Sequence, residues 1–307
     1  MTVLDETIGA FEIGVLVSLG LLGTVMSQVY HYFGYFVEDP LPLKIAVGVV
    51  AGLELIYTIC ISHSLYHFTI TNFNNPKQFL GAFPPSFMIA FVATGTTGVI
   101  VNLFCCWRIH RLVRNPFWRM AIPGFLACCA VTWYSFGWAA TVYLFEAKHI
   151  PEFVEEWGWL LMAIWIASPT TDIGVTATLV YILNDSRKAG VHKTTDVLVD
   201  KVITWTIETG LLTSLAGIAA LVAYLTSRET FIWLGIFAVR SRLFANSFLT
   251  SLNCRKVLRA MNNTNTYRSF SKPPGAIDVQ MTKVTLRRTD SQLAGMSNDL
   301  AGTTLKN

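Results

Sequence analysis

Five ionisable side chains stand inside long apolar stretches of the chain: Glu54, Asp172, Glu208, Arg240 and Arg242. A charge at mid-bilayer costs about 2.5–3.5 kcal/mol on insertion scales, so such groups turn toward a helical interior and take partners. Two chemistries follow. Opposite charges within reach form buried ion pairs that fix helix register, or a carboxylate serves as a ligand or proton site. Counting the helical rise, Asp172 and Arg240 fall near mid-depth, with Glu208 closer to the end expected to be cytoplasmic. Asp172 with Arg240, or Glu208 with Arg242, would neutralise both members, and the sequence leaves the pairing open. Pro169, three residues before Asp172, frees a backbone carbonyl, which makes Pro169–Asp172 the expected place for a pocket.

His63 and His67 are four apart and share one helix face, a spacing that can hold a metal. A site would need further ligands, and His149 is the residue expected on the same side; no HExxH pattern accompanies them. The competing reading is a pair of interfacial histidines bonded to neighbours. No cofactor motif and no nucleophile–base pair is present, so neither a cofactor nor an enzyme activity is expected. The six cysteines, Cys60, Cys105, Cys106, Cys128, Cys129 and Cys254, sit in or beside apolar segments, where small polarizable packing residues belong. Cys254, beside Arg255 and Lys256, is also a candidate for S-palmitoylation.

The elements carrying these residues are legible from hydropathy. The chain is 307 residues long, 53% hydrophobic and 14% charged, against about 25% charged in soluble domains. Spanning a bilayer takes about 20 mostly apolar residues. Such stretches occur near 11–33, 45–68, 84–107, 120–145, 159–183, 202–226 and 231–252. The expected fold is therefore an all-α membrane bundle of seven transmembrane helices. Small residues recur every four on two of them, Ala90, Thr94 and Gly98 and then Gly210 and Ser214, marking close helix approach.

Connections alternate in charge. One side carries three Lys or Arg (Lys77, Lys148, Arg228); the other carries eighteen, nine of them from Arg255 onward. Basic residues mark the cytoplasmic side, so the N-terminus is expected outside and the C-terminus in the cytoplasm. The predicted organisation is a short extracellular N-terminus over 1–10, a transmembrane domain over 11–254, and a basic, Ser/Thr-rich tail over 255–307. The opening MTVLDETIG is acidic, unlike a cleavable signal, so the first helix is expected to be retained. The tail lacks apolar periodicity and is expected to be disordered; its surplus of basic residues suits an anionic inner leaflet. Trp107, Trp118, Trp157 and Trp159 flank spans and read as interface anchors.

Several blocks in order carry a resemblance: Gln28, Tyr30 and Tyr32; His63 to His67 leading into Asn72; Trp107-Arg108; Asp172; Thr206-Ile-Glu208-Thr209-Gly210-Leu-Leu-Thr213; and Asn246-Ser247-Phe248-Leu249 with Leu252-Asn253-Cys254-Arg255. Over about residues 14–256 these resemble a family of seven-helix membrane proteins of mushroom-forming fungi that carries a domain of unknown function over its last three helices. The resemblance implies a fold and a membrane location, with no activity attached. Phe244 stands where that family often has Tyr. Asn246, in the last block, joins the four charges and Glu54 as a candidate ligand contact.

The leading functional expectation is a receptor-like or sensory protein of the plasma membrane with a small-molecule pocket among its helices. Its expected partners are the bilayer and that ligand; a cytoplasmic partner for the tail is undefined, and nothing points to nucleic acid. The third helix ends in Cys106-Trp107-Arg108 and the seventh lacks Asn-Pro-x-x-Tyr, unlike familiar G-protein-coupled receptors. Arg240 and Arg242 stand where a retinal Schiff base would need Lys, and Arg stays protonated. The alternative is a proton-coupled or small-molecule transporter using Glu54, Asp172 and Glu208; a membrane enzyme comes third.

Overall fold

The computed structural model describes residues 8–72, 83–146, 150–188, 193–226 and 232–270. Among them are seven helices: α1 (Ala10–Tyr35), α2 (Leu41–Tyr66, continued by a π-helical turn over His67–Thr71), α3 (Pro85–Leu112), α4 (Pro116–Glu146), α5 (Ile150–Lys188), α6 (Lys193–Thr226) and α7 (Ile232–Phe270). No strand occurs among the described residues. Six helices, α1 to α6, are long and apolar enough to cross a membrane. In α7 the two arginines and the amides at Asn246 and Asn253 dilute an otherwise apolar run.

Proline sets several starts. Pro40 and Pro84 cap α2 and α3 in extended conformation, with Pro42 and Pro85 in the first turns, where the missing N–H leaves no helical bond unmade. Each helix overshoots its apolar stretch by a few residues, because polar side chains stop the hydropathy signal without stopping the helix. The excess is greatest at α7, expected to end near 252 and helical to Phe270. The rest of the expected disordered tail, 271–307, lies outside the described residues, as does His149. The chain divides into two units, Met1–Asn262 and Asn263–Asn307. In the second, only the helical backbone of 263–270 is described.

Within the first unit each of α1 to α5 packs against the helix that follows it, α3 also meets α5, and α6 touches α7 where Tyr224 meets the Trp233 ring. The pattern is an antiparallel up-and-down bundle, with α7 against α1, α2, α3 and α5. Its surface is apolar: Ile13, Leu16, Ile59, Phe125 and Leu215 are all at least 58% exposed, which suits lipid and not water. Small residues bring backbones together. A Cβ on Gly14 of α1 would collide with the backbone of Gly235 on α7, and one on Gly210 with Thr176 of α5. Gly98 seats the Trp133 ring, 3.0 Å from where its Cβ would stand. At the end of the bundle where α1 finishes, Asp39 in the α1–α2 connection accepts hydrogen bonds from Tyr32 (3.0 Å) and from Arg255 of α7 (2.6 and 3.2 Å).

Candidate functional site

Residues two apart on a helix are about 200° apart around it, so Arg240 and Arg242 leave α7 on nearly opposite sides. Arg242 points toward α1 and α2. Its guanidinium forms an ion pair with Glu54, and both side chains are fully buried. Arg242 also donates to Ser18 Oγ (3.1 Å), the Glu54 carbonyl (3.1 Å) and Thr58 Oγ1 (2.5 Å), while Ser241 donates to Glu54 Oε1 at 2.7 Å. The Tyr57 ring covers the guanidinium at 5.0 Å. Every face of this pair is occupied by protein. It ties α1, α2 and α7 together.

Arg240 points toward α5. It donates from Nη2 to Ser168 Oγ (2.7 Å) and lies 3.6 Å from Asp172 Oδ2; Asn102 of α3 donates to the other carboxylate oxygen at 3.2 Å. Gly217 of α6 makes room for this guanidinium: a Cβ there would meet Arg240 Nη2 at 3.3 Å and Pro169 Cγ at 2.6 Å. Of the two pairings left open, the structure forms Asp172–Arg240; Arg242 takes Glu54 in place of Glu208. Glu208 is exposed and makes no ion pair among the described residues. The reason is its phase on α6: Thr206, Thr209, Gly210 and Thr213 face the interior, and Glu208 lies on the other side of the same turns.

The Arg240 pair is flanked by two openings. On one side is a cavity between α3, α4, α5 and α7, walled by Phe91, Trp133, Tyr134, Trp138, Trp165 and Phe237 with Ser168 and Arg240 at its polar end. Its volume is about 30 Å³. That interior holds about two waters. Gly95 and Gly137 thin its walls. Three N–H groups at this cavity have no acceptor: Trp133 Nε1, Trp165 Nε1 and Arg240 Nε. Their residues are 5%, 2% and 5% exposed. On the other side is a polar cleft lined by Asn102, Asp172, Thr176 and the α6 residues Thr206, Thr209 and Thr213, with Phe244 between the two openings. Asp172 Oδ2 has no hydrogen-bond donor within reach. A larger groove of about 630 Å³, lined by Arg114, Trp118 and Tyr181, lies open at the bundle surface.

The pocket expected at Pro169–Asp172 is thus displaced. Trp165 and Ser168, one turn earlier on α5, border the aromatic cavity, and Asp172 borders the cleft. Asn246 accepts from Thr24 Oγ1 at 3.0 Å on the α1–α7 seam, away from both. His63 and His67 do not converge: His63 Nδ1 meets Ser86 Oγ at 2.9 Å and His67 Nε2 meets Asn72 at 3.0 Å. No group of three His, Cys, Asp or Glu is placed to hold a metal among the described residues. The Cys254 thiol, a candidate for acylation, is buried and donates to the Ser251 carbonyl at 3.1 Å.

Sequence reasoning missed the aromatic walls. Trp133, Trp138 and Trp165 sit inside their helices, away from the ends where Trp ordinarily anchors to headgroups. That placement was the available signal. Trp107 and Trp118, near the ends of α3 and α4, are at least half exposed, as anchors should be, and Trp159 is 54% exposed nine residues into α5; Trp157, also expected to be an anchor, is partly buried and stacks on Tyr143 with ring centroids 3.8 Å apart.

A family of unknown function, DUF6534, matches residues 168–257. The match runs from Ser168 through α6 to the end of the bundle portion of α7. It contains Ser168, Asp172, Arg240 and the threonine stripe, and leaves Trp133, Trp165 and α1 to α4 outside. Among curated proteins no match is found.

Proposed function

We propose that the chain is a receptor-like, seven-span plasma-membrane protein of the fungal type it resembles, binding a small molecule in the aromatic cavity beside Arg240. The observation that carries this reading is a set of three buried, acceptor-less N–H groups, all on side chains that line one cavity. Leaving a buried donor unpaired costs about 1–3 kcal/mol each, and a native structure that keeps three together has a reason to. A ligand acceptor supplies one. α7 counts as the seventh span because both its arginines are neutralised inside the bundle. The basic connections then put the N-terminus outside and the tail in the cytoplasm. The walls are chiefly aromatic side chains with a few hydroxyls, groups suited to binding, and the role assigned is recognition.

A second reading has its own support. The polar cleft lies across the Arg240–Asp172 pair from the cavity, and Phe244 borders both. Opening the pair would join them into a path, as a transporter requires. One experiment separates the readings. A thermal-shift screen of lipophilic metabolites on the purified chain is repeated on Gly137→Leu, whose side chain would enter the cavity. A Cβ at this position meets nothing nearer than Phe91 at 3.8 Å, so the variant should fold. Hits abolished by Gly137→Leu identify the cavity. Failure of a radiolabelled hit to accumulate in proteoliposomes then supports reception, and accumulation supports transport.

A further inference from the structure

We infer that the cavity selects a neutral, flat, lipophilic molecule bearing a carbonyl-type acceptor oxygen, admitted from the bilayer between α3 and α4. The inference rests on the cavity being the ligand site and adds the chemistry of its occupant.

Polarity comes first. The unpartnered polar atoms at the cavity are all donors: Trp133 Nε1–H, Trp165 Nε1–H and Arg240 Nε–H. The hydroxyls nearby are engaged, Thr94 with the Ala90 carbonyl at 3.0 Å and Tyr134 with Thr96 at 2.8 Å. A ligand therefore has to bring acceptors. Charge comes second. Arg240 already has Asp172 at 3.6 Å, so the site is neutral before anything enters. A carboxylate would add an unbalanced charge to an apolar, water-poor space, which costs far more than burying a carbonyl that receives hydrogen bonds. The neutral acceptor wins.

Shape and route follow from the walls. The enclosed space holds about two waters, so a bound ring has to part the indole and phenyl faces, which favours a planar ring stacked between them over a bulky aliphatic group. The rim between α3 and α4 is built of Val92, Gly95, Tyr134, Gly137 and Trp138. Trp138 is 47% exposed on the outer face of α4, the face that meets lipid tails in a bilayer. Gly137 lowers this rim, a Cβ there meeting nothing nearer than Phe91 at 3.8 Å, so a molecule dissolved in the acyl chains reaches the cavity without crossing the helix ends.

The test uses three ring-matched probes: indane, 1-indanone and indane-1-carboxylate. Binding to the full chain in nanodiscs is followed by thermal shift and by quenching of tryptophan fluorescence. The ketone should bind about tenfold more tightly than the hydrocarbon, the gain from pairing one otherwise unpaired buried donor, and more tightly than the acid. Trp165→Phe removes the N–H and leaves a smaller aromatic face, whose own effect the hydrocarbon probe reads, so it should narrow the ketone's advantage over the hydrocarbon; Trp133→Phe provides the same comparison should the first variant not fold. Equal binding of ketone and hydrocarbon overturns recognition by the donors while leaving the cavity as the site. Tightest binding of the carboxylate overturns the neutral class and likewise leaves the site. Binding that survives Gly137→Leu unchanged, or no binding of any probe, overturns both the inference and the cavity assignment.

Discussion

Replacing Glu54 by Gln should be the most damaging single change of charge in the bundle. The Arg242 guanidinium is fully buried, and Glu54 is the carboxylate paired with it. Removing one partner of a buried pair costs about 3–5 kcal/mol, because the other charge is stranded. The Gln carbonyl can still accept from Ser241 or Arg242, so the lower end, about 3 kcal/mol, is expected. Arg242→Met loses the bonds to Ser18, Thr58 and the Glu54 carbonyl. Interhelical hydrogen bonds in membranes average only about 0.6 kcal/mol, and a stranded carboxylate can take up a proton and become neutral whereas a guanidinium cannot shed one. That change should cost about 1–2 kcal/mol. The double variant should resemble Arg242→Met alone, giving a coupling of about 2 kcal/mol or more, the mark of a direct pair. Equilibrium unfolding of the full chain in mixed micelles, with SDS as denaturant, measures all three. Additive losses, or a Glu54→Gln variant as stable as the parent, would refute the reasoning.

Other expectations follow from single contacts. Gly14→Leu should weaken the α1–α7 seam by more than about 2 kcal/mol, since its Cβ meets the Gly235 backbone, which cannot yield as a side chain can; the same unfolding assay reads it. Asp39→Asn should cost less than about 1 kcal/mol, because Arg255 is 31% exposed at the end of the bundle and solvent screens the pair. Asn184 and Asn262 lie in glycosylation sequons on the side proposed to be cytoplasmic, so neither should carry glycan; an endoglycosidase-sensitive mass shift lost in Asn184→Gln or Asn262→Gln would reverse the orientation. Cys254 should resist acyl-exchange labelling in intact protein, its thiol being buried and bonded to Ser251.

What could be read in the sequence was whatever depends on one helix at a time. Apolar length gave the helices, and the cost of intramembrane charge singled out Glu54, Asp172, Arg240 and Arg242, all of which are buried. Pairing depends on the relative rotation of two helices, which hydropathy does not encode. Glu208 is the instructive case: chemically it suited Arg242, but the inward face of α6 is its threonine stripe, and the acid lies behind it. The histidines show the same limit, since one shared face says nothing about what that face meets: His63 meets Ser86 and His67 meets Asn72. The aromatic cavity was hidden because a Trp lining a pocket and a Trp facing lipid contribute alike to an apolar run. Only the mid-span position of Trp133 and Trp165 distinguished them.

The central claim is that the N–H groups of Trp133, Trp165 and Arg240 await an acceptor from outside the chain. A cryo-EM map of the protein in lipid nanodiscs, prepared with and without saturating 1-indanone, tests it most directly. The account predicts ketone-dependent density between α3, α4, α5 and α7, with an oxygen within about 3 Å of at least one of the three nitrogens. Side chains closed over the space in both maps, with each N–H bonded to a protein group, would contradict it.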